Sequence, residues 1–164
     1  MRPLDLTYLD RALPSGVASD FPTQALLWAL TLLLRPKLVV ETGCDMGCTA
    51  HVIGQALAAN GYGRLVTCDI APASVQATAT LCMGLPVEAR CCQGVELPEL
   101  AEADLVFFDS SFDGRIAEMA MLKPEAVGVL HDWEACVPEL PAVVATFAQH
   151  VLLPTMPGVA IFRR

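Results

Sequence analysis

Glu41, Asp69, Asp109 and the pair His131-Asp132 each close a short apolar run in this chain. A carboxylate at the end of one strand is ordinary. Four such endings, with a turn carrying Gly43 and Gly47 directly after the first, form a constellation. Carboxylates accept hydrogen bonds from hydroxyl groups and balance positive charge, and an imidazole titrates close enough to neutrality to take a proton from a substrate. The candidate chemistry is therefore recognition of a hydroxylated or cationic small molecule, with proton removal from it.

The turn runs Val39-Val40-Glu41-Thr42-Gly43-Cys44-Asp45-Met46-Gly47-Cys48-Thr49. An apolar strand, a glycine-bearing turn and a helix start make a cofactor-binding device, because glycine lets backbone approach a ligand closely and a helix N-terminus carries partial positive charge. A dinucleotide fingerprint needs G-x-G-x-x-G, whereas here three residues separate the glycines and Asp45 is one of them. That acid would repel a pyrophosphate. A phosphate-cradling loop needs Gly-Lys-Ser/Thr, and the turn contains no lysine. A nicotinamide dehydrogenase reading is weakened accordingly. Asp69, at the end of the next strand, is placed to accept both hydroxyls of a ribose. A nucleoside bearing a cationic sulfonium satisfies both conditions.

The elements that must position these groups follow from periodicity and punctuation. Residues 1–20, with Pro3, Pro14 and Gly16, read as an irregular or short helical arm, and 25–34 as a helix stopped at Arg35-Pro36. Strands are expected at 37–41, 64–69, 87–91, 104–109 and 126–130. Helices are expected at 49–60, 74–83, 115–122 and 141–149. A hairpin of 151–153 and 159–162 closes the chain. Near-continuous apolar strands alternating with helices imply a parallel sheet covered on both faces, and ligands in such sheets bind beyond the carboxyl ends of the strands. No linker or repeat divides the 164 residues, so one domain is expected: an N-terminal helical arm over 1–36 and a cofactor-binding core over 37–164.

Composition narrows the partners. The chain is 54% hydrophobic and 17% charged, with a mean hydropathy of +0.51, an apolar excess that predicts a buried face between two copies, a homodimer. The net charge of −8 and the absence of a basic stripe argue against a nucleic-acid partner. The longest apolar run, 25–34, is about half of what a membrane span needs, so a cytoplasmic protein with no membrane partner is expected. The seven cysteines form no CxxC pair, and His51, His131 and His150 add no zinc-like spacing; the thiols read as small buried apolar groups in a reducing compartment.

Glu41-x-Gly43-x-x-x-Gly47-x-Thr49, Gly63 to Asp69, Asp104-Leu-Val-Phe-Phe-Asp109, Leu122-Lys123-Pro124 and Val129-Leu130-His131-Asp132 occur in this order. Together they resemble the class I S-adenosylmethionine-dependent methyltransferases, in particular the small-molecule O-methyltransferase-like branch, over residues 37–164. The resemblance implies an α/β, three-layer Rossmann-like fold with a mostly parallel seven-stranded sheet whose last strand is inserted antiparallel, in a C-terminal hairpin. It implies that Glu41 and Gly43, with Cys44 in the same turn, line the methionine side of the cofactor and that Gly47 eases the turn. Asp69 would hold the ribose, Ile70 would pack by the adenine, Gln93 and Gly94 would sit at the adenine edge, and Asp109 would lie beneath the methyl donor.

Methyl transfer to oxygen demands proximity and a deprotonated acceptor. His131 is the candidate general base; alternatively Asp109 and Asp132 share a Mg²⁺ that acidifies the hydroxyl of a small-molecule methyl acceptor. Trp133 could wall an aromatic acceptor. Two departures stand out. Relatives carry Asp-Gly-x-His after the fourth strand where this chain has Asp109-Ser110-Ser111-Phe112, and Pro-Gly-Gly before the fifth strand is here Pro124-Glu125-Ala126. They keep open a second function class, a binding or scaffold protein that retains the fold without the chemistry.

Overall fold

The computed structural model describes residues 21–132, 140–153 and 158–163. The expected arm over 1–20 and the expected role of Trp133 lie outside the described residues. Seven strands form one sheet in the order β3-β2-β1-β4-β5-β7-β6. They are β1 Leu38–Thr42, β2 Arg64–Asp69, β3 Val87–Cys91, β4 Leu105–Phe108, β5 Val127–His131, β6 Gln149–Leu153 and β7 Val159–Arg163. Neighbours from β3 through β5 pair in parallel, whereas β7 runs antiparallel to both β5 and β6. The α/β fold with a closing antiparallel hairpin is as the sequence implies.

The pattern of burial shows why the central strands lack alternation. Every residue of β1 and β4 is buried, because helices cover both faces. One face packs Leu27 from α1 (Phe21–Leu34) and Ala50, Ile53 and Leu57 from α2 (Cys48–Asn60) on Val39, Leu65, Phe107 and Val129. The other packs Met119 from α4 (Phe112–Ala120), Val144 from α5 (Leu140–Ala145) and Leu97 and Leu100 on Val40, Val66, Val106 and Leu130. Alternate strand residues thus feed two separate cores, giving the expected three layers.

Boundaries shift where local chemistry outweighs periodicity. The helix read at 25–34 is already formed at Phe21, and Pro22 is tolerated there because first-turn N–H groups lack helical partners anyway. Helix α3 (Pro72–Leu81) starts at Pro72 rather than residue 74 for the same reason. The helix read at 115–122 starts at Phe112, after Ser111. That read at 141–149 stops at Ala145, because residues 149–153 pair with β7. Between β3 and β4 the crossover is two short 3₁₀ turns, Gly94–Glu96 and Pro98–Ala101, with Leu97 and Leu100 buried beneath the sheet. The first turn is closed by a reciprocal pair, the Gln93 N–H donating to Glu96 Oε2 at 2.8 Å and the Glu96 N–H side bonded back to Gln93.

The inserted strand is seated by one exact-fit contact. Gly128 of β5 pairs with Phe162 of β7, and a Cβ at Gly128 would fall inside the Phe162 ring. That ring also stacks on Phe108 and meets Phe147 at a tilt, with centroids 5.9 Å and 4.5 Å away. Gly128→Ala is therefore expected to destabilise the fold by about 1–3 kcal/mol through overpacking. In urea denaturation its cost should be smaller in a Phe162→Leu background, and strict additivity would show that the two do not touch in this way.

Candidate active site

The strand order reverses between β1 and β4, so the crevice beyond their carboxyl ends is where the topology leaves room for a ligand. A cleft of about 480 Å³ opens there, lined among others by Gly43, Asp69, Ile70, Gln93, Gly94 and Asp109, all expected from the sequence. Ser110 and Gly114 also line it, as do Cys68, Cys92 and Glu118, and these last three were not expected. Glu41, Cys44 and Gly47 are buried just behind this lining. His131 is buried beside it, in contact with Asp109.

The turn after β1 is locked from within. The N–H groups of Gly43 and Cys44 both donate to the Cys68 carbonyl, at 2.9 and 3.0 Å, joining the turn to β2. The Asp45 N–H donates to Asp69 Oδ2 at 3.1 Å, and the Gly47 N–H to the Cys44 carbonyl at 2.7 Å. Gly43 has φ +86°, and a Cβ there would clash with the Asp109 backbone, 2.9 Å from the Ser110 nitrogen. Gly47 has φ +82°, with a Cβ blocked at 2.8 Å by the Thr78 Cα. The glycines therefore serve close packing of chain against chain. The Gly43, Cys44, Asp45 and Gly47 N–H groups are already satisfied internally and are not offered to a phosphate.

Acidic groups surround the cleft. Glu41 is fully buried and accepts hydrogen bonds from the Thr49 and Thr67 hydroxyls, the latter at 2.6 Å. Burial still dominates and lifts its carboxyl to about 7. Asp69 accepts from the Asp45 and Ala71 N–H groups, at 3.1 and 2.9 Å, and so fixes the loops on either side of itself. Burial raises Asp109 and Glu118 as well, and Asp45 more modestly placed in the turn follows the same direction. Burial also pushes the Cys44 thiol up to about 12, which leaves it protonated and unsuited to act as a nucleophile.

Asp109 is the junction of the site. Its Oδ1 accepts from His131 Nδ1 at 3.1 Å and from Arg115 Nη2 at 3.2 Å. Arg115, 2% exposed, also donates to the Ser110 carbonyl at 2.7 Å and the His131 carbonyl at 2.6 Å, tying α4 to the ends of β4 and β5. Asp132, at φ +54°, brings its Oδ2 to 3.5 Å from His131 Nδ1. Asp109, His131 and Asp132 thus offer ligand atoms within 4.8 Å of one another. The shared Asp109 oxygen also faces the buried Arg115 guanidinium, a cation that would repel a divalent ion at that oxygen. Neither Arg115 nor Glu118 announces itself in the sequence; the available signal was their spacing of three in a helix following an acid-ended strand, which puts both on one face.

No family model matches the chain, and no curated protein matches it. Solved structures do. An S-adenosylhomocysteine-bound methyltransferase of Podospora anserina, PaMTH1, superposes with a TM-score of 0.74 at 16% identity, over 96% of this chain and 84% of that one. A methyltransferase from Geobacter sulfurreducens gives 0.75 at 20% identity, over 96% and 93%. The O-methyltransferase TomG from Streptomyces achromogenes, in complex with S-adenosylmethionine, gives 0.70 at 19% identity, over 95% and 85%. The chain has the Rossmann-like methyltransferase fold, with its seven-stranded sheet and antiparallel C-terminal strands.

The buried Glu41 makes a prediction in pH. Its folded-state pKa is raised from 4.5 to about 7, so the folded protein holds this proton more tightly than the unfolded chain. Its contribution is complete below about pH 4.5 and is lost as pH rises through 7. Glu41→Gln, which carries no charge, should lack that loss. Thermal melts from pH 5 to 8 should show the variant's Tm gaining on the parent as pH rises; parallel curves would show that Glu41 does not titrate in this window.

Proposed function

We propose that this chain is an S-adenosylmethionine-dependent methyltransferase that methylates a hydroxyl group of a small molecule. The observation that carries the reading is the electrostatics of the cleft. Asp69, Asp109 and Glu118 line it, Glu41 and Asp45 stand behind it, and the turn's N–H groups are used within the loop. Such a site repels phosphate and favours a cation attached to a nucleoside. The methyltransferase structures that share the fold include S-adenosylmethionine and S-adenosylhomocysteine complexes, in support of that cofactor.

In this reading Asp69 holds the ribose hydroxyls with the lone pairs that its backbone bonds leave free. Ile70, 71% exposed at the cleft edge, covers one face of the adenine, with Gln93 and Gly94 at its rim. Glu41, Gly43, Cys44 and Gly47 shape the methionine side, Glu41 acting through Thr49 and Thr67. Bound there, S-adenosylmethionine supplies an electrophilic methyl group on sulfur. Asp109 holds a proton on His131 Nδ1, which makes Nε2 the proton acceptor for the substrate hydroxyl. The buried Arg115 works against burial in favouring the charged form of Asp109, and it keeps that carboxylate aimed. This mechanism uses no Mg²⁺ between Asp109 and Asp132, for the reason given by the guanidinium.

The described helices include none long and apolar enough to cross a membrane. Described cysteines are free thiols, which supports a reducing, cytoplasmic setting, and the net charge of −8 supports a partner other than nucleic acid. Exposed apolar side chains on α1 and β6, Leu33 at 80% and Val151 at 55%, support a homodimer; light scattering that reads one chain mass would overturn it.

Isothermal titration should show one S-adenosylhomocysteine per chain, with Asp69→Asn weakening it about 10-fold through loss of charge-assisted bonds. No binding to the parent protein would overturn the proposal. With an acceptor found by screening for S-adenosylhomocysteine release, His131→Ala should cut turnover by about 10²–10⁴-fold while leaving cofactor affinity within a few-fold. Unchanged turnover would remove His131 from the chemistry.

A further inference from the structure

Glu118 is a buried acid with two different oxygens. It is 2% exposed, and its Oε2 accepts from Thr42 Oγ1 and Ser110 Oγ, both at 2.8 Å. These two bonds fix the carboxylate between the end of β1 and the turn after β4. Among the described residues no donor bonds Oε1. That oxygen lies against two glycines of the cleft lining: a Cβ on Gly94 would collide with it, and one on Gly114 would sit 3.4 Å away. The absence of a side chain on Gly94 is what leaves room for Oε1 at the cleft wall. An oriented, desolvated acceptor with an open face is a reader of hydrogen-bond donors.

We infer that Glu118 Oε1 accepts a hydrogen bond from the exocyclic amino group of the nucleoside base, and so selects an adenine over a 6-oxo purine. The inference rests on the adenosyl reading above, which puts the base beside Gly94. Adenine presents an amino donor at this edge, whereas hypoxanthine presents a carbonyl, whose oxygen would face Oε1 with no proton between them. Buried acceptor against acceptor is rejected strongly, because neither group recovers its bond to water. Burial raises Glu118, while the Thr42 and Ser110 hydroxyls and Arg115 pull the other way, toward the carboxylate form that accepts.

The test compares S-adenosylhomocysteine with S-inosylhomocysteine by isothermal titration on the intact protein and on Glu118→Gln. The glutamine keeps an oxygen for Thr42 and Ser110 but turns an amide N–H₂ toward the cleft. The parent protein should prefer the adenosyl ligand by about 10²-fold. In Glu118→Gln the preference should fall below 10-fold, through weaker adenosyl binding and stronger inosyl binding together. A purely structural tie would weaken both ligands alike, so an unchanged ratio overturns the inference while leaving the adenosyl reading intact. Binding of neither ligand to the parent overturns that reading, and this inference with it. Should Glu118→Gln not fold, the parent decides against S-adenosylhomocysteine's 6-desamino purine analogue: affinity equal to the adenosyl ligand overturns the assignment, and a loss of 10-fold or more upholds it.

Discussion

The rest of the structure depends on how this fold keeps carboxylates out of water at the ends of its central strands. Glu41 has no exposure at all, and Glu118 has almost none although it lines the cleft beside Asp109. Unpaired, such charges would be driven to neutrality or would unfold the edge of the sheet. Each is instead met by donors from a different element. Thr49 of α2 and Thr67 of β2 hold Glu41; Thr42 of β1 and Ser110 hold Glu118; Arg115 of α4 and His131 of β5 hold Asp109. The acids therefore act as the joints between layers. Strands β1, β2, β4 and β5 and helices α2 and α4 are brought into register at the crevice by the same bonds that make burial tolerable.

That arrangement has an electrostatic consequence. The raised values of Glu41, Asp109 and Glu118 all arise first from burial, with neighbouring hydroxyls or cations offsetting it only in part. Groups so perturbed, clustered in one cleft, are characteristic of working sites, since stability alone would favour apolar residues in their places. The glycine turn sharpens the point. The N–H groups of Gly43, Cys44, Asp45 and Gly47 close onto Cys68, Asp69 and Cys44, so these four are spent within the protein rather than on a phosphate. A site of this kind gains most from a ligand that brings positive charge on a group with few hydrogen bonds of its own, which describes a sulfonium.

The architecture was legible because it is written in local patterns. Unbroken apolar runs such as Val39-Val40 and Leu105 to Phe108 mark strands covered on both faces, and each ends in a polar residue at the same edge. Asp69 and Asp109 could be placed at the cleft from strand ends, and Ile70, Gln93 and Gly94 from the resemblance to a family. What escaped depends on contacts between distant segments. Glu118 reaches Thr42 across 76 positions, and Arg115 reaches the carbonyl of His131 from a helix whose start was misplaced by three residues. No periodicity encodes such pairs. Nor did the sequence tell a lining residue from one behind the lining: Glu41 and Gly43 are two apart, yet one is sealed in the core and the other faces the cleft.

The same contacts bear on the two departures from the methyltransferase pattern. A site relaxing from lost function would be expected to lose polar groups piecemeal, leaving partners unsatisfied. Ser110, where relatives carry glycine, instead donates from its side chain to Glu118 and accepts from Arg115 Nε at its carbonyl. Ala126, in place of a glycine before β5, is fully buried in the core that holds Leu122 and Phe162. The changes are therefore absorbed into the packing and the hydrogen-bond network. With Arg115 supplying a fixed cation at Asp109, the site also has a charge-balancing group of its own. A substituted but internally satisfied cleft is the structure expected of a protein that still holds a ligand there.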